Sequence, residues 1–156
     1  TGSEIQEEEG GSRSNPSEAA RIYGLVQELL IPGDVTPDHI GIITPYSGQV
    51  RALCDIFDSK KEREQGQRYA GLEINSVDGY QGREKEVIIF SAVRSNPDGI
   101  VGFLSDRRRL NVAITRAKRG LIVLGDPQTL RFDPTWRSWL DWADERGLFA
   151  WHLVND

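Results

Sequence analysis

Residues 86–93 read E-V-I-I-F-S-A-V, a nearly unbroken apolar run that is the clearest strand signal in the chain. Two further runs, I-G-I-I at 40–43 and G-L-I-V-L at 120–124, are short and bounded by polar or turn-forming residues. Runs of this kind are typical of strands that are buried on both faces of a parallel sheet. A fourth strand is predicted at 72–77. Because amphipathic segments alternate with these runs, the sequence predicts an α/β domain with a mostly parallel sheet.

The amphipathic segments predict helices between the strands. Residues 15–18, N-P-S-E, form a helix start, because they combine a capping side chain, a proline in the first turn and a glutamate three residues after the cap. Further helices are predicted around 50–57 and over 134–146. The last of these carries Trp136 and Trp139 on one face, and their helical spacing favours core packing over base stacking.

Length and charge limit the possible classes of protein. The 156 residues predict one domain, and no apolar run is long enough for a bilayer span, so no membrane partner is expected. Residues 1–15 carry a net charge of -3 out of a total of -5 and are predicted to be a flexible acidic lead-in loop. The remainder is nearly neutral, which permits phosphate binding at one place but predicts no broad basic surface. Neither the single cysteine nor the two histidines lie in a cluster with metal-ligand spacing, so no protein metal site is predicted.

The positive charge is concentrated in residues 107–119, R-R-R-L-N-V-A-I-T-R-A-K-R, which hold six cationic side chains and no acidic one. Apolar residues recur at i, i+3, i+4 and i+7 from Leu110, and this spacing predicts a helix with one buried stripe. Arg109 and Arg116 would then share one flank of the stripe. Such a flank can present a guanidinium to a phosphate, but it can equally be a solvated basic face, and the segment alone leaves both interpretations open.

Three polar segments directly follow predicted strands: T-P-Y-S-G-Q at 44–49, D-G-Y-Q-G-R-E at 78–84 and R-S-N-P-D-G at 94–99. The second is longer and more polar than a hairpin requires, so its Asp-Gly pair is not interpreted as a hairpin turn. Ligands of parallel sheets bind beyond the carboxyl ends of the strands. We therefore expect the three segments to line one edge of the sheet.

Four segments in this order, T-P-Y-S-G-Q (44–49), S-V-D-G-Y-Q-G-R-E-K (76–85), S-A-V-R-S-N (91–96) and R-R-L-N-V-A-I-T-R-A-K (108–118), resemble the second half of a superfamily 1 helicase. The resemblance is closest to the group that contains the nonsense-mediated-decay helicase, and it covers about residues 12–131. It implies a RecA-like P-loop NTPase fold, with helices on both faces of the sheet.

The resemblance also implies roles for individual residues. Arg116 would be the arginine finger that reaches the γ-phosphate of ATP, and Gly82 and Glu84 would approach the ribose or the γ-phosphate from the same side. Gln81 would link the nucleotide to the nucleic acid. Arg109 matches the family motif, with a phosphate contact and a structural role both open. Six residues would face the sugar-phosphate backbone of a single strand: Thr44, Pro45, Ser76, Val77, Arg94 and Asn96.

One part of the family pattern is missing, since the chain has no G-x-x-x-x-G-K-[ST] phosphate loop and no acidic Mg²⁺-binding strand motif. We therefore expect residues 16–156 to be the second RecA-like domain of a longer chain. ATP with Mg²⁺ would be held mainly by a preceding RecA-like domain, and the isolated domain would be inactive. The partner would be single-stranded RNA or DNA, in the cytoplasm or nucleus. The alternative is a non-catalytic nucleic-acid-binding or scaffolding module that retains the helicase fold.

Overall fold

The computed structural model describes residues 2–7, 11–63, 68–80 and 83–150. Two short antiparallel strands, β1 at Ile5–Gln6 and β2 at Arg13–Ser14, precede a four-stranded parallel sheet. The strands of the larger sheet are β3 at Ile40–Thr44, β4 at Glu73–Ser76, β5 at Lys85–Ser91 and β6 at Ala117–Leu124. Their order across the sheet is β4-β3-β5-β6, and every neighbouring pair is parallel. The predicted α/β class is confirmed.

Helices cover both faces of the sheet, as a RecA-like domain requires. The helices are α1 at Pro16–Leu30, α2 at Ser47–Arg63, α3 at Arg107–Ile114, α4 at Pro127–Leu130 and α5 at Pro134–Glu145. Short 3-10 turns lie at Pro37–His39, Asp78–Tyr80 and Gly102–Ser105. One hydrophobic core lies between the sheet and α1 with α2, and a second lies between the sheet and α3 with α5.

The two central strands contribute side chains alternately to the two cores. Ile42 and Ile89 pack in the core beneath α1 and α2, whereas their neighbours Ile43 and Phe90 pack in the core beneath α3 and α5. A strand that is buried on both faces needs an apolar side chain at nearly every position, which explains the continuous runs in the sequence. Since β3 lies between β4 and β5, the Asp-Gly pair at 78–79 is not a hairpin turn, as predicted.

The start of α1 follows the predicted capping pattern. The Asn15 side chain accepts a hydrogen bond of 3.1 Å from the amide of Glu18, and Pro16 occupies the first helical position. Proline is tolerated there because its missing N–H would have no partner within the helix. Ile22 and Val26 lie one turn apart on the inner face of the helix and are fully buried.

The predicted helix over 107–119 is wrong in its second half. The helix ends at Ile114, and residues from Ala117 onward belong to β6. The Thr115 hydroxyl donates to the Asn111 carbonyl at 2.7 Å, and the Lys85 amide donates to the Arg116 carbonyl at 3.0 Å. Pairing with β5 therefore overrides the helical spacing of the apolar residues, and Arg109 and Arg116 do not share one helix flank.

The prediction of a loop over 1–15 is also corrected for the part of that segment that the structure describes. Ile5 is paired with Ser14, and Gln6 with Arg13, in the antiparallel pair β1–β2. Glu4 joins this hairpin to the large sheet, since its carboxylate accepts hydrogen bonds from residues that follow β5. The sequence gives no sign of this because the segment has no alternating apolar residues.

The tryptophans of α5 are placed mainly as expected. Trp136 is buried and its indole Nε1 donates to the Leu104 carbonyl at 2.8 Å, which confirms core packing. Trp139 was expected on the same inner face but is 37% exposed, with its ring edge-on to Trp136. No helix among the described residues is both long and apolar enough to cross a membrane.

Candidate functional site

The six residues that are expected to face a nucleic-acid strand all lie at the carboxyl edge of the sheet. Thr44 and Ser76 end the neighbouring strands β3 and β4 and are paired in register. The Val77 amide donates to the Thr44 carbonyl at 3.1 Å, which extends this pairing beyond β4. Arg94 and Asn96 follow the end of β5. The parallel topology thus brings three separate segments of the chain to one edge.

The six side chains differ greatly in exposure. Thr44, Val77 and Arg94 are buried, with exposed fractions of 0%, 5% and 3%. The partly exposed members of the set are Pro45, Ser76 and Asn96. Pro45, Ser76 and Asn96 are therefore accessible to a ligand at this edge, whereas the side chains of Thr44, Val77 and Arg94 are not.

Arg94 does not have the orientation that the sequence led us to expect. Its guanidinium points inward, with Nε 2.9 Å from Oε2 of Glu4 and Nη1 3.3 Å from the hydroxyl of Tyr46. Gly102 has a φ of 53°, which favours glycine, and a Cβ there would lie 2.4 Å from Nη1, so a larger residue would be strained and would also displace this guanidinium. In this arrangement the charge of Arg94 is matched inside the protein.

Glu4 is at the centre of this arrangement, although no sequence pattern singled it out. Its Oε2 also accepts from the Ser95 amide at 2.7 Å and from Asn96 Nδ2 at 3.1 Å, and its Oε1 pairs with Arg13 at 2.8 Å. Burial alone would raise the pKa of Glu4, but hydrogen bonds from Asn96, Arg94 and the Ser95 amide hold it below its usual value. The acidic lead-in is therefore part of the carboxyl edge.

Asn96 holds the loop that follows it. Its Oδ1 accepts from the Ile100 amide at 2.8 Å, and its Nδ2 donates to the Ile100 carbonyl at 2.9 Å. The Asn96 amide donates to the hydroxyl of Thr129 at 2.9 Å. These bonds close the loop over 96–100 and fix its position against α4.

A second group of buried polar residues lies beneath the same edge. Glu18 accepts from the Ser91 hydroxyl at 2.5 Å and from the Val93 amide at 3.0 Å, and Gln49 Nε2 donates to the Ser91 oxygen at 3.0 Å. Burial raises the pKa of Glu18 to about 7, although hydrogen bonds from Ser91 and Val93 act in the opposite direction. The sequence identified Glu18 only as part of a helix start.

Glu84 and Arg116, for which the resemblance implies a nucleotide role, lie at the opposite edge of the sheet. This corrects the expectation that 44–49, 78–84 and 94–99 line one edge throughout. Glu84 and Arg116 immediately precede β5 and β6, so they lie at the amino ends of adjacent strands. The segment over 78–84 runs from the carboxyl end of β4 to the amino end of β5. Gln81 and Gly82, which belong to this segment, lie outside the described residues.

The Arg116 side chain is partly exposed and has only neutral partners among the described residues. Its Nε donates to the Val112 carbonyl at 3.2 Å, and its Nη2 lies 3.4 Å from the Thr115 hydroxyl. No carboxylate in the described part of the chain forms an ion pair with it. Arg119, three residues later, is by contrast paired with Glu86 at 2.8 Å.

Arg109, in contrast, lies at the carboxyl edge and contacts two carboxylates and an aromatic ring there. Its Nε lies 3.7 Å from Asp78 and 3.6 Å from Asp106, and its guanidinium lies 5.4 Å from the ring centroid of Phe103. It occupies the first turn of α3, whereas Arg116 follows the last turn. These contacts favour the structural role for Arg109, because they tie the segment after β4 to α3.

The described residues contain no group of three or more His, Cys, Asp or Glu side chains that could hold a metal ion.

The sheet, its covering helices and the residues at its strand ends define a RecA-like domain. The chain belongs to the AAA domain family, whose model matches residues 1–128.

Individual relatives agree with this assignment. A regulator of nonsense transcripts 1 homolog from Arabidopsis thaliana is 47% identical over 131 residues, which are 84% of this chain and 10% of that protein. The Drosophila melanogaster homolog is 44% identical over 154 residues, 97% of this chain and 13% of its own length. The ATP-dependent helicase upf1 of Schizosaccharomyces pombe is 41% identical over 146 residues, 94% and 16% of the two chains. The resemblance to the nonsense-mediated-decay group of superfamily 1 helicases is confirmed, and this chain spans a small fraction of each relative.

Proposed function

We propose that this chain is the second motor domain of an ATP-dependent RNA or DNA helicase. In this proposal it supplies the arginine finger and half of the single-strand binding surface. The observation that carries the proposal is the state of Arg116, a partly exposed guanidinium at the amino edge, without a carboxylate partner among the described residues. A planar cation that is not neutralised internally is suited to a phosphate.

ATP with Mg²⁺ is the proposed cofactor, held mainly by a preceding RecA-like domain, because this sequence contains no phosphate-loop motif. When ATP is bound, it supplies the phosphoryl group whose transfer is coupled to movement of the strand. Arg116 would stabilise negative charge on the terminal phosphate, and Glu84 and Gly82 would approach the ribose or the same phosphate. Since Arg116 would act across a domain boundary, hydrolysis would require the two domains to close.

Single-stranded nucleic acid is the proposed ligand of the carboxyl edge. Pro45, Ser76 and Asn96 are the members of the predicted set with exposed surface, and we assign direct strand contacts to them. Thr44 and Val77 join β3 to the end of β4 and would shape the edge through their backbone. Gln81 would couple the two edges. The proposed location is the cytoplasm or the nucleus, where RNA and DNA substrates are found.

The test compares two arginines in the full-length protein. Arg116→Ala is expected to reduce nucleic-acid-stimulated ATP hydrolysis by about 10³-fold or more, the scale of arginine fingers in GTPases, while strand affinity is retained. The matched control is Arg119→Ala, which removes the same charge from an exposed residue that pairs with Glu86. Undiminished turnover in Arg116→Ala would exclude the finger role, whereas an unaltered protein that hydrolyses no ATP would favour a non-catalytic module.

A further inference from the structure

The turn that follows β5 has a backbone conformation that its sequence does not favour. Val93 has a φ of 70° and is the one non-glycine residue with a positive φ in the part of the chain that the structure describes. The Arg94 amide donates to the Ala92 carbonyl at 2.7 Å, so the turn closes across a single residue. This is a γ-turn of the positive-φ kind, which is rare and strained, and a β-branched residue is the least suited to it.

Side chains from the start of α1 hold both polar groups of the Val93 backbone. Glu18 Oε1 accepts from the Val93 amide at 3.0 Å, and Asn15 Nδ2 donates to the Val93 carbonyl at 3.1 Å. The same Glu18 oxygen accepts from the Ser91 hydroxyl, so it contacts the chain on both sides of Ala92. A strained backbone persists when the surrounding structure determines it through several contacts, and here two buried side chains do so.

The turn decides where the following residues go. Because the chain reverses at Val93, Arg94 points back into the protein to Glu4 and Tyr46. Asn96 then begins the closed loop at the carboxyl edge. A γ-turn with negative φ would place the next residue on the other side of the chain, so the loop position depends on the strained form.

We infer that Glu18, together with Asn15, is a positioning residue that holds the strained Val93 turn and so places residues 94–96 for single-strand binding. The inference rests on the proposed function, in which the carboxyl edge of the sheet binds single-stranded nucleic acid. Glu18 itself would not contact the nucleic acid, because its side chain is buried beneath the edge.

The experiment uses the full-length protein and a fluorescent single-stranded oligouridine. Glu18→Ala removes the acceptor and is expected to weaken strand binding by about tenfold, which corresponds to one buried hydrogen bond. Glu18→Gln keeps a carbonyl oxygen at the same position and is expected to bind within about threefold of the unaltered protein.

A rescue experiment distinguishes a positioning role of Glu18 from a role in packing alone. Glycine adopts a positive φ without strain, so Val93→Gly should no longer need the clamp, and adding it to Glu18→Ala should restore affinity to within about threefold. The matched control adds Val93→Ala to Glu18→Ala. Alanine removes almost as much of the side chain as glycine does but keeps the backbone strain, so this double variant should not regain affinity. A Glu18→Ala protein that binds normally, or a double variant with Val93→Gly that stays as weak as Glu18→Ala, would overturn the inference.

Two further measurements keep the test decisive. If Glu18→Ala does not fold, Asn15→Asp replaces it, because aspartate still caps α1 but its carboxylate has no hydrogen to donate to the Val93 carbonyl. Amide hydrogen exchange at residues 92–96 reports the turn independently of ligand, and the Val93 amide should lose protection in Glu18→Ala but not in Glu18→Gln. If the unaltered protein binds no strand, the proposed function fails, while exchange still decides whether Glu18 holds the turn.

Discussion

The carboxylate of Glu4 and the guanidinium of Arg94, ninety positions apart in the sequence, form a buried ion pair with 2.9 Å between Oε2 and Nε. The pair joins the acidic hairpin to the segment after β5 and directs Arg94 away from the surface. An acidic segment at the start of the chain is thereby built into the edge of the sheet where we propose that nucleic acid binds.

Removal of the Glu4 charge is expected to destabilise the domain. Glu4→Gln would leave the buried Arg94 guanidinium without its counter-charge, so the free energy of unfolding should fall by about 3 kcal/mol. The matched control is Glu7→Gln, because Glu7 pairs with Arg51, whose side chain is 58% exposed. Exposed pairs of that kind contribute about 0–1 kcal/mol. Urea denaturation of the two variants measures the difference, and equal losses would contradict the prediction.

Glu18 should make stability fall as pH rises. Its pKa in the folded protein is about 7, above the ordinary value of 4.5, so the folded state binds more protons between these pH values. Burial is the main cause, and the charge of Asp126 acts in the same direction. Glu18→Gln cannot titrate, so the unaltered protein should lose about 3 kcal/mol relative to it across this window.

Urea denaturation at about pH 5 and about pH 7.5 tests this dependence, because the two values lie near the ends of the window. Other titrating groups affect both proteins alike, so only the difference between them is informative. Parallel curves for the two proteins would show that Glu18 ionises in the folded state as it does in the unfolded chain.

The strain at Val93 predicts an unusual order of stability. Val93→Ala and Val93→Gly both remove a buried side chain, but only glycine takes the φ of 70° without cost. We expect Val93→Gly to be the more stable of the two by about 1 kcal/mol, the reverse of the usual order. Thermal denaturation of both variants checks this, and a more stable Val93→Ala would mean that the turn is unstrained.

Two glycine-to-alanine substitutions should have opposite effects. A Cβ at Gly41 in β3 would lie 2.0 Å from the Tyr80 hydroxyl and 2.9 Å from Ile88, so Gly41→Ala should cost about 1–3 kcal/mol through overpacking. A Cβ at Gly24 in α1 meets nothing closer than 3.5 Å. Gly24→Ala should therefore stabilise by about 0.5–1 kcal/mol through helix propensity. Chemical denaturation measures both, and two changes of the same sign would contradict the packing described here.

The strands and α1 could be predicted from the sequence because their signals are local. A buried strand needs a continuous apolar run, and a capped helix needs particular residues at its start. The second half of 107–119 was mispredicted because pairing with Lys85 competes with the helical spacing and is not visible within the segment. Local patterns are therefore sufficient where no distant strand competes for the backbone.

The candidate site was only partly predictable for a similar reason. Parallel topology correctly brings Thr44, Ser76 and Asn96 to one edge. The inward orientation of Arg94 depends on Glu4, which is far away in the sequence and lies in a segment with no structural pattern. The separation of Glu84 and Arg116 from this edge depends on the strand order, in which β3 lies between β4 and β5, and no local sequence pattern reveals that order.

The position of α3 has a mechanical consequence. Arg94 contacts Tyr46, the Tyr46 and Phe103 rings lie 5.8 Å apart, and Phe103 lies beneath Arg109 in the first turn of the helix. The whole helix is about 12 Å long, and Arg116 follows its last turn. The helix therefore connects Arg109 at the carboxyl edge to Arg116 at the amino edge, where the Arg116 carbonyl accepts from the Lys85 amide. A tilt of α3 as a rigid unit would displace the residues at both of its ends, so the two edges of the sheet are mechanically connected through this helix.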